Sequence, residues 1–385
     1  MQSLHIRQSR TVHFAATITI FAVLLGCDSF LLVASPRGAS AATLPACSTS
    51  GATGAGSPSY VVNVAAPVGN NGDSSSEIQT AINTASKHSG GGQVVLQAGT
   101  YTIKKTIDVG SNVDLTGAGE SSTTLIAGSS SNVDPMVTTQ NQDNITVENM
   151  TVNQDGESRK SKQSLSYYLI EARSGANVIF QNVATREPTT YSMVAVSTSD
   201  FCFRNNNVEQ DPAENGRFTQ LDGIHILNSS NGDVLDNYVD NSYNGATDGD
   251  DGLVAHAYGG TVSNVTYAGN VVRGGKNGEG MGVWISSGTI SKITVTDNEF
   301  WGEGGIHPGA SGSLSNSSFT DNILHNNALG ITLAGSKLTV TGNYLCSSGS
   351  ISITGTGNTV SSNSSYTGCT NAPSTTSPPP AYPPQ

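Results

Sequence analysis

Charge is scarce in this chain. Asp, Glu, Lys and Arg together make up 12% of 385 residues. A helical bundle draws heavily on Glu, Lys, Leu and Ala, so this composition argues against one. A disordered acidic chain needs a high net charge per residue, which is also missing. Basic residues number 17 against 29 acidic ones, a net charge of −12, so the basic footprint of a nucleic-acid binder is absent. Five cysteines include no Cys-x-x-Cys pair, which argues against a zinc site. Long apolar runs are limited to the N-terminus. What the chain does have is glycine, 44 residues of it, with abundant Ser, Thr and Asn. Many short strands joined by polar turns suit that profile. The length would hold two or three average domains or one repetitive fold.

Arg7 and Arg10 precede an apolar run from Phe14 to Gly26, and Ala39-Ser40-Ala41 supplies small residues for cleavage. Residues 1–41 are therefore expected to be a removed signal peptide. A retained anchor is the alternative, but the clean run is shorter than the ~20 residues needed to span a bilayer. A lipoprotein site at Cys27 is a second, minor alternative. The mature chain carries 14 basic and 28 acidic residues, a net −14. It is expected outside the cell, where Cys47, Cys202, Cys346 and Cys369 can oxidise. Cys346 and Cys369 are near enough in sequence to be a disulfide candidate, and the pairing of Cys47 and Cys202 stays open. Residues 42–371 read as one domain. Residues 372–385 are rich in Pro, Ser and Thr and read as a flexible tail.

Short units of Asn followed by an apolar residue recur. They start at Asn149, Asn182, Asn206, Asn237, Asn270, Asn298, Asn322 and Asn343, with spacings of 33, 24, 31, 33, 28, 24 and 21 residues. An irregular period above 20 predicts an all-β fold, a parallel β-helix with loops of varying length. Stacked asparagines can hydrogen-bond from coil to coil. A β-sandwich with Asn-rich turns is the alternative, but it has no reason to repeat one turn residue eight times. A second ladder places Gly223, Gly252, Gly282, Gly305 and Gly330 at one position of a parallel sheet, with Met193 to Val196 in the same frame upstream. Side chains alternate faces along a strand. The first and third residues after each glycine are apolar and point inward. His225, Val254, Trp284, His307 and Thr332 then point outward.

Asp73 to Ser76 offers helix N-cap residues, and Ile78, Ala81, Ile82 and Ala85 follow at helical spacing. This predicts a helix capping the open end of the solenoid, ending at Gly90-Gly91-Gly92. The order of helix, glycines, Gln93 to Leu96 and Gly99-Thr100-Tyr101 resembles the opening of the pectate-lyase-like superfamily of right-handed β-helices. The resemblance covers most of residues 60 to 370.

Asp222 and Asp251 each precede a ladder glycine, one coil apart, and Asp250 adjoins Asp251. Three carboxylates are thus expected to converge beside His225. Crowded like charges raise at least one pKa. An acid kept protonated beside an ionised base is what glycosidic hydrolysis uses. Solvated turn aspartates are the bland alternative, since Asp-Gly is a common turn pair. Calcium held by Asp248, Asp250 and Asp251 is another. No cofactor and no metal is assigned.

Leu221-Asp222-Gly223-Ile224 resembles the Asn-Thr-Asp-Gly segment of polygalacturonase-type (family 28) glycoside hydrolases. Gly249-Asp250-Asp251-Gly252 resembles their Gly-Asp-Asp-Cys segment, and the Gly-Asp-Asp segments of dextranases and α-1,3-glucanases. The resemblance implies an inverting hydrolase, with Asp250 as general acid and Asp222 with Asp251 as shared base. Two departures stand out. Met281-Gly282 replaces the pattern's His-Gly, and His307-Pro308-Gly309 replaces the Arg-Ile-Lys that grips a galacturonate carboxylate. A carboxylate clamp needs permanently charged donors. These departures, with the net charge of −14, favour a neutral glycan over polygalacturonate. Arg273 and Lys276, expected on the loop before Met281, keep pectin open.

The candidate catalytic residues are Asp222, Asp250 and Asp251. The candidate substrate-binding residues are His225, His256, Arg273, Lys276, Trp284 and His307. Loops 209–221, 242–250 and 274–281 are expected to wall a groove. The expected partner is a polysaccharide, with no nucleic acid, no membrane in the mature form, and a monomeric state. Rival functions are a polysaccharide lyase acting on uronates and a non-catalytic glycan-binding adhesin.

Overall fold

The computed structural model describes residues 44–68, 72–128, 133–156, 168–189, 191–209, 221–240, 250–273, 280–301, 305–308, 313–325 and 329–367. The expected leader and tail, Asp248, Lys276, Cys369 and most of the three expected wall loops lie outside them. Leu44–Gln385 forms one compact unit. No helix among the described residues is long and apolar enough to cross a membrane.

The chain winds as a parallel β-helix, and every strand pairing is parallel. Three sheets run its length. The first contains Tyr168–Arg173, Tyr191–Val196, Ile224–Leu227, the opening halves of Leu253–Ala268 and Met281–Thr296, then Ile306–Pro308 and Ile331–Ser336. The second runs from Val61–Val64 and Gly92–Leu96 through Ser199–Arg204 and Ser230–Leu235 to Thr359–Ser361. The third runs from Gly99–Ile103 to Ser364–Tyr366 and includes Asn207–Glu209, Tyr238–Asp240 and Val271–Arg273. Alternating Val, Ile, Leu and Phe side chains point inward and form one continuous buried core. The helix Ser75–Lys87 buries Ile78, Ala81, Ile82 and Ala85 against the first coils, as its spacing predicts. It hides a strand edge that would otherwise be open to pairing.

Corners need a left-handed residue, which an L-amino acid adopts at a cost that Asn and Asp lower. One corner is built from Asn149, Asn182, Asn205, Asp236, Gly269, Asp297, Asp321, Gly342 and Ser362, all at positive φ. Asparagines, all but the last buried, stack immediately after this corner. Asn206, Asn237, Asn270, Asn298, Asn322, Asn343 and Asn363 form the row, each donating Nδ2–H to the next Oδ1 at 2.8–3.0 Å. The row corrects the expected ladder. Asn149 and Asn182 occupy the left-handed corner, one residue earlier, bonded to each other at 3.0 Å. The buried position above Asn206 is filled instead by Val183.

The glycine ladder also needs one correction. Leu253 N–H bonds Gly280 O at 3.1 Å, Met281 N–H bonds Gly305 O at 2.9 Å, and Ile306 N–H bonds Gly330 O at 2.9 Å. Gly280, not Gly282, therefore stacks between Gly252 and Gly305. Met281, Val283 and Ile285 are all apolar and inward, so a slip of two residues leaves the pattern unchanged. In the observed register Gly282 lies between Val254 and His307, and Trp284 lies beside His256.

The N-terminal segment from Leu44 crosses the outside of the second sheet as a strap. A disulfide joins Cys47 to Cys202, answering a pairing that the sequence leaves open. Cys346 is disulfide-bonded too, and Cys369, its expected partner, lies outside the described residues.

Candidate active site

Ile224 pairs with Leu253 in the first sheet. Asp222 and Asp251, two residues before each, therefore occupy one position in adjacent coils, where strands are ~4.8 Å apart. The parallel ladder continues through them, with Gly223 N–H on Asp251 O at 3.0 Å. Asp222 is 4% and Asp251 1% exposed, while Asp250 is half-buried. The Asp250 N–H bonds Leu221 O at 2.9 Å.

Side-chain donors meet the two buried carboxylates. His225 Nδ1 lies 2.5 Å from Asp222 Oδ2. The Asp251 N–H points at Asp222 Oδ1, 3.3 Å away. Trp284 Nε1–H donates to Asp251 Oδ2. Gly282 makes that contact possible, because a Cβ there would collide with both the indole nitrogen and the carboxylate.

His225 is outward-facing but 4% exposed. Tyr191 stacks on it at 4.9 Å, and Tyr168 stacks on Tyr191 at 5.7 Å. Arg173 lies over the Tyr168 ring, 5.5 Å from its centre, and donates to Glu171 at 2.9 Å. Burial pushes the His225 imidazole down to about 3. Burial first, and then His225, pushes His256 down to about 4. Burial, followed by the charges of Asp222, Asp250 and Asp251, holds the Tyr191 phenol far above its usual range, so it stays protonated.

Of the other candidates, His256, Trp284 and His307 lie together beside the carboxylates, and Arg273 stands apart. His256 and Trp284 are half-buried neighbours on the outer face of the first sheet. His307 is half-buried, its ring edge-on to Trp284 at 5.6 Å and its Nδ1 2.9 Å from Pro308 O. Arg273 is not in the loop before Met281. It ends a strand of the third sheet, its Nη1 4.0 Å from Asp240 Oδ2. A row of Glu209, Asp240, Arg273, Trp301 and His325 borders this region on the third sheet. Burial pushes the Glu209 carboxyl up to about 7.

Tyr191, Tyr168 and Ser286 were not among the sequence candidates. Tyr191 had a readable signal, since it precedes Met193 by the same two residues that separate Asp222 from Ile224. Ser286 had none. Among the described residues, no group of three or more His, Cys, Asp or Glu side chains is arranged to hold a metal ion.

No curated protein matches the chain by sequence. Solved structures do resemble it. The polygalacturonase from Erwinia carotovora ssp. carotovora is 15% identical, aligns over 80% of this chain and 95% of its own, and gives a TM-score of 0.50. ORF18 of Geobacillus virus E2 is 13% identical over 74% of this chain and 57% of its own, with a TM-score of 0.54. The endo-xylogalacturonan hydrolase from Aspergillus tubingensis is 15% identical over 78% of this chain and 93% of its own, with a TM-score of 0.42. Identities this low speak to fold. The family model described as Rhamnogalacturonase A/epimerase, pectate lyase-like matches residues 61–298, and the chain belongs to that family.

Proposed function

We propose that this protein is a glycoside hydrolase that cleaves a polysaccharide with inversion. Asp250 acts as the general acid, and Asp222 with Asp251 activates water. One observation carries the reading. The two carboxylates stacked in adjacent coils each accept an N–H on Oδ2, while Asp250 is the most exposed of the three. N–H donors favour the ionised form of a carboxylate. An inverting pair is separated by about 6.5–9.5 Å, and a retaining pair by about 5–5.5 Å. Neighbouring coils are too close to hold acid and base on opposite sides of a water, so Asp222 and Asp251 share one role.

A neutral glycan is the substrate class we favour. Arg273 is directed at Asp240, and His307 replaces a permanent cation on the sheet. The mature charge of −14 repels polyanions. Trp284 and His307 offer an aromatic surface for a sugar ring. The proposal takes residues 1–41 as an export leader, 42–371 as the catalytic domain and 372–385 as a tail. Two disulfide-bonded sites suit an oxidising compartment outside the cell.

The test is incubation with pectins, dextran, α-1,3-glucan and xylans, with and without EDTA. New reducing ends without an ultraviolet-absorbing unsaturated product are expected, unaffected by EDTA. Proton NMR of the fresh reaction should show the inverted anomer first. Unsaturated products would make it a lyase. Tight binding without turnover on every glycan would make it an adhesin.

A further inference from the structure

The imidazoles of His225 and His256 form part of a chain that starts at a carboxylate and ends at a hydroxyl. Asp222 Oδ2 is 2.5 Å from His225 Nδ1. His225 Nε2 is 3.2 Å from His256 Nδ1. His256 Nε2 is 3.1 Å from Ser286 Oγ. Both nitrogens of both rings are engaged, so neither ring has a nitrogen left for a sugar hydroxyl.

Ser286 reaches the chain through a fault in the sheet. Ala257 pairs with Ile285, but Tyr258 pairs with Ser287, so Ser286 is the extra residue of a bulge. Bulges commonly re-aim one side chain beside a functional site.

We propose that His225, His256 and Ser286 are positioning residues that act through Asp222, rather than substrate-binding residues. The proposal rests on the reading of Asp222 as a water-activating base. With Asp222 ionised and both rings neutral, only one set of hydrogens satisfies every link. A carboxylate only accepts, so His225 carries its hydrogen on Nδ1. Its Nε2 then accepts, so His256 also carries its hydrogen on Nδ1. His256 Nε2 finally accepts the Ser286 hydroxyl. Each hydrogen points toward Asp222. The carboxylate is fixed in one rotamer as an acceptor, and its second oxygen stays beside Asp251. Two neutral rings do this without placing a buried cation in the site.

The groups facing the chain agree with a neutral state. Asp222, Tyr191 and His256 face His225, and Val194 and Val254 flank it along the row. His225, Ser286, Trp284 and Tyr258 surround His256. Asp250 and Asp251 are charged groups near Tyr191, which stacks on His225. Burial favours the neutral form of both rings.

The test is spectroscopic and needs no substrate. Long-range proton–nitrogen spectra of the full chain with ¹⁵N-labelled histidine, taken from pH 8 to 5, report tautomer and charge. His225 and His256 should both show the Nδ1–H tautomer, unchanged across the range, whereas a free neutral imidazole prefers Nε2–H. An Nε2–H pattern on either ring, or titration of either ring near its ordinary value, overturns the proposal. Kinetics on a glycan that the wild type cleaves give a second readout. His256→Gln should lower kcat roughly 10–100-fold with KM little changed. A rise in KM at unchanged kcat would restore the sugar-binding role and overturn the proposal. If the wild type cleaves no glycan, the hydrolase reading fails while the tautomer result still stands or falls by itself.

Discussion

Asp250 differs from its two neighbours in what surrounds it. Asp222 and Asp251 are buried and held by ring N–H donors, whereas Asp250 is half-buried. If it protonates the leaving oxygen, Asp250→Asn should lower kcat by roughly 10²–10⁴. Steady-state kinetics on the identified glycan test this, with a thermal melt to show that folding is unchanged. Wild-type turnover by the Asn variant would remove Asp250 from the mechanism. The shared position of Asp222 and Asp251 was legible in the sequence, because each precedes Gly and then an apolar residue. The donors were not legible. The Trp284 contact depends on a register that the run Met281, Val283, Ile285 leaves ambiguous by two residues. The Ser286 link depends on a bulge, which polar residues at a strand's end do not announce.

At the scale of the element, two asparagine rows look alike in sequence and differ in burial. Asn270, in the inner row, is fully buried. Asn270 Oδ1 accepts Asn237 N–H at 3.0 Å and Asn237 Nδ2–H at 2.9 Å, and its Nδ2 donates to Val234 O at 2.8 Å. Asn264, in the outer row, is exposed, bonding Asn231 at 3.0 Å from a left-handed corner. A rule of Asn followed by an apolar residue cannot separate a buried position from a left-handed corner, since Asn suits both. That is why Asn149 and Asn182 were placed one residue off while the period itself was right. The contrast is measurable. Asn270→Ala strands buried donors and acceptors, and should cost roughly 2–5 kcal/mol. Asn264→Gly keeps the corner's φ accessible and should cost less than about 1 kcal/mol. Urea unfolding of both variants decides it. Similar losses at the two positions would mean that burial does not set the strength of these ladders.

A solenoid is held together mainly by contacts between neighbouring coils, so its stability is close to a sum along one dimension. The strap changes that arithmetic for the N-terminal half. It touches five successive strands of the second sheet. Ala55 N–H bonds Thr146 Oγ1 at 3.1 Å, and Thr53 and Gly54 N–H bond Asn177 Oδ1 at 2.7 and 2.9 Å. Cys47 is joined to Cys202, while Arg204 donates to Pro45 O at 2.6 Å. Ser50 N–H and Oγ–H both bond Asp233 Oδ2 at 2.7 Å, and Thr49 Oγ1 lies 2.7 Å from Thr266 Oγ1. Ala52 and Cys47 also cover a small apolar patch of Ile179, Cys202 and Leu235. The disulfide closes a sequence separation of 155 residues, so removing it frees a long loop in the unfolded chain. Loop-closure entropy would put the loss near 5 kcal/mol at most, and losing a native disulfide typically costs about 2–5 kcal/mol. The strap is peripheral, so that loss should appear first as local opening rather than as global melting. In the Cys47→Ser, Cys202→Ser double variant, the strap amides of Thr49, Ser50, Thr53, Gly54 and Ala55 should exchange with solvent roughly 10²–10³-fold faster, since about 1.4 kcal/mol is a factor of ten. Amides of Asn322 and Asn343, far along the solenoid, should be unchanged. Hydrogen exchange read by mass spectrometry distinguishes the outcomes. Unaltered protection in the strap would show that its hydrogen bonds suffice without the disulfide. Faster exchange reaching Asn343 would show that the strap stabilises the whole helix rather than the coils it crosses.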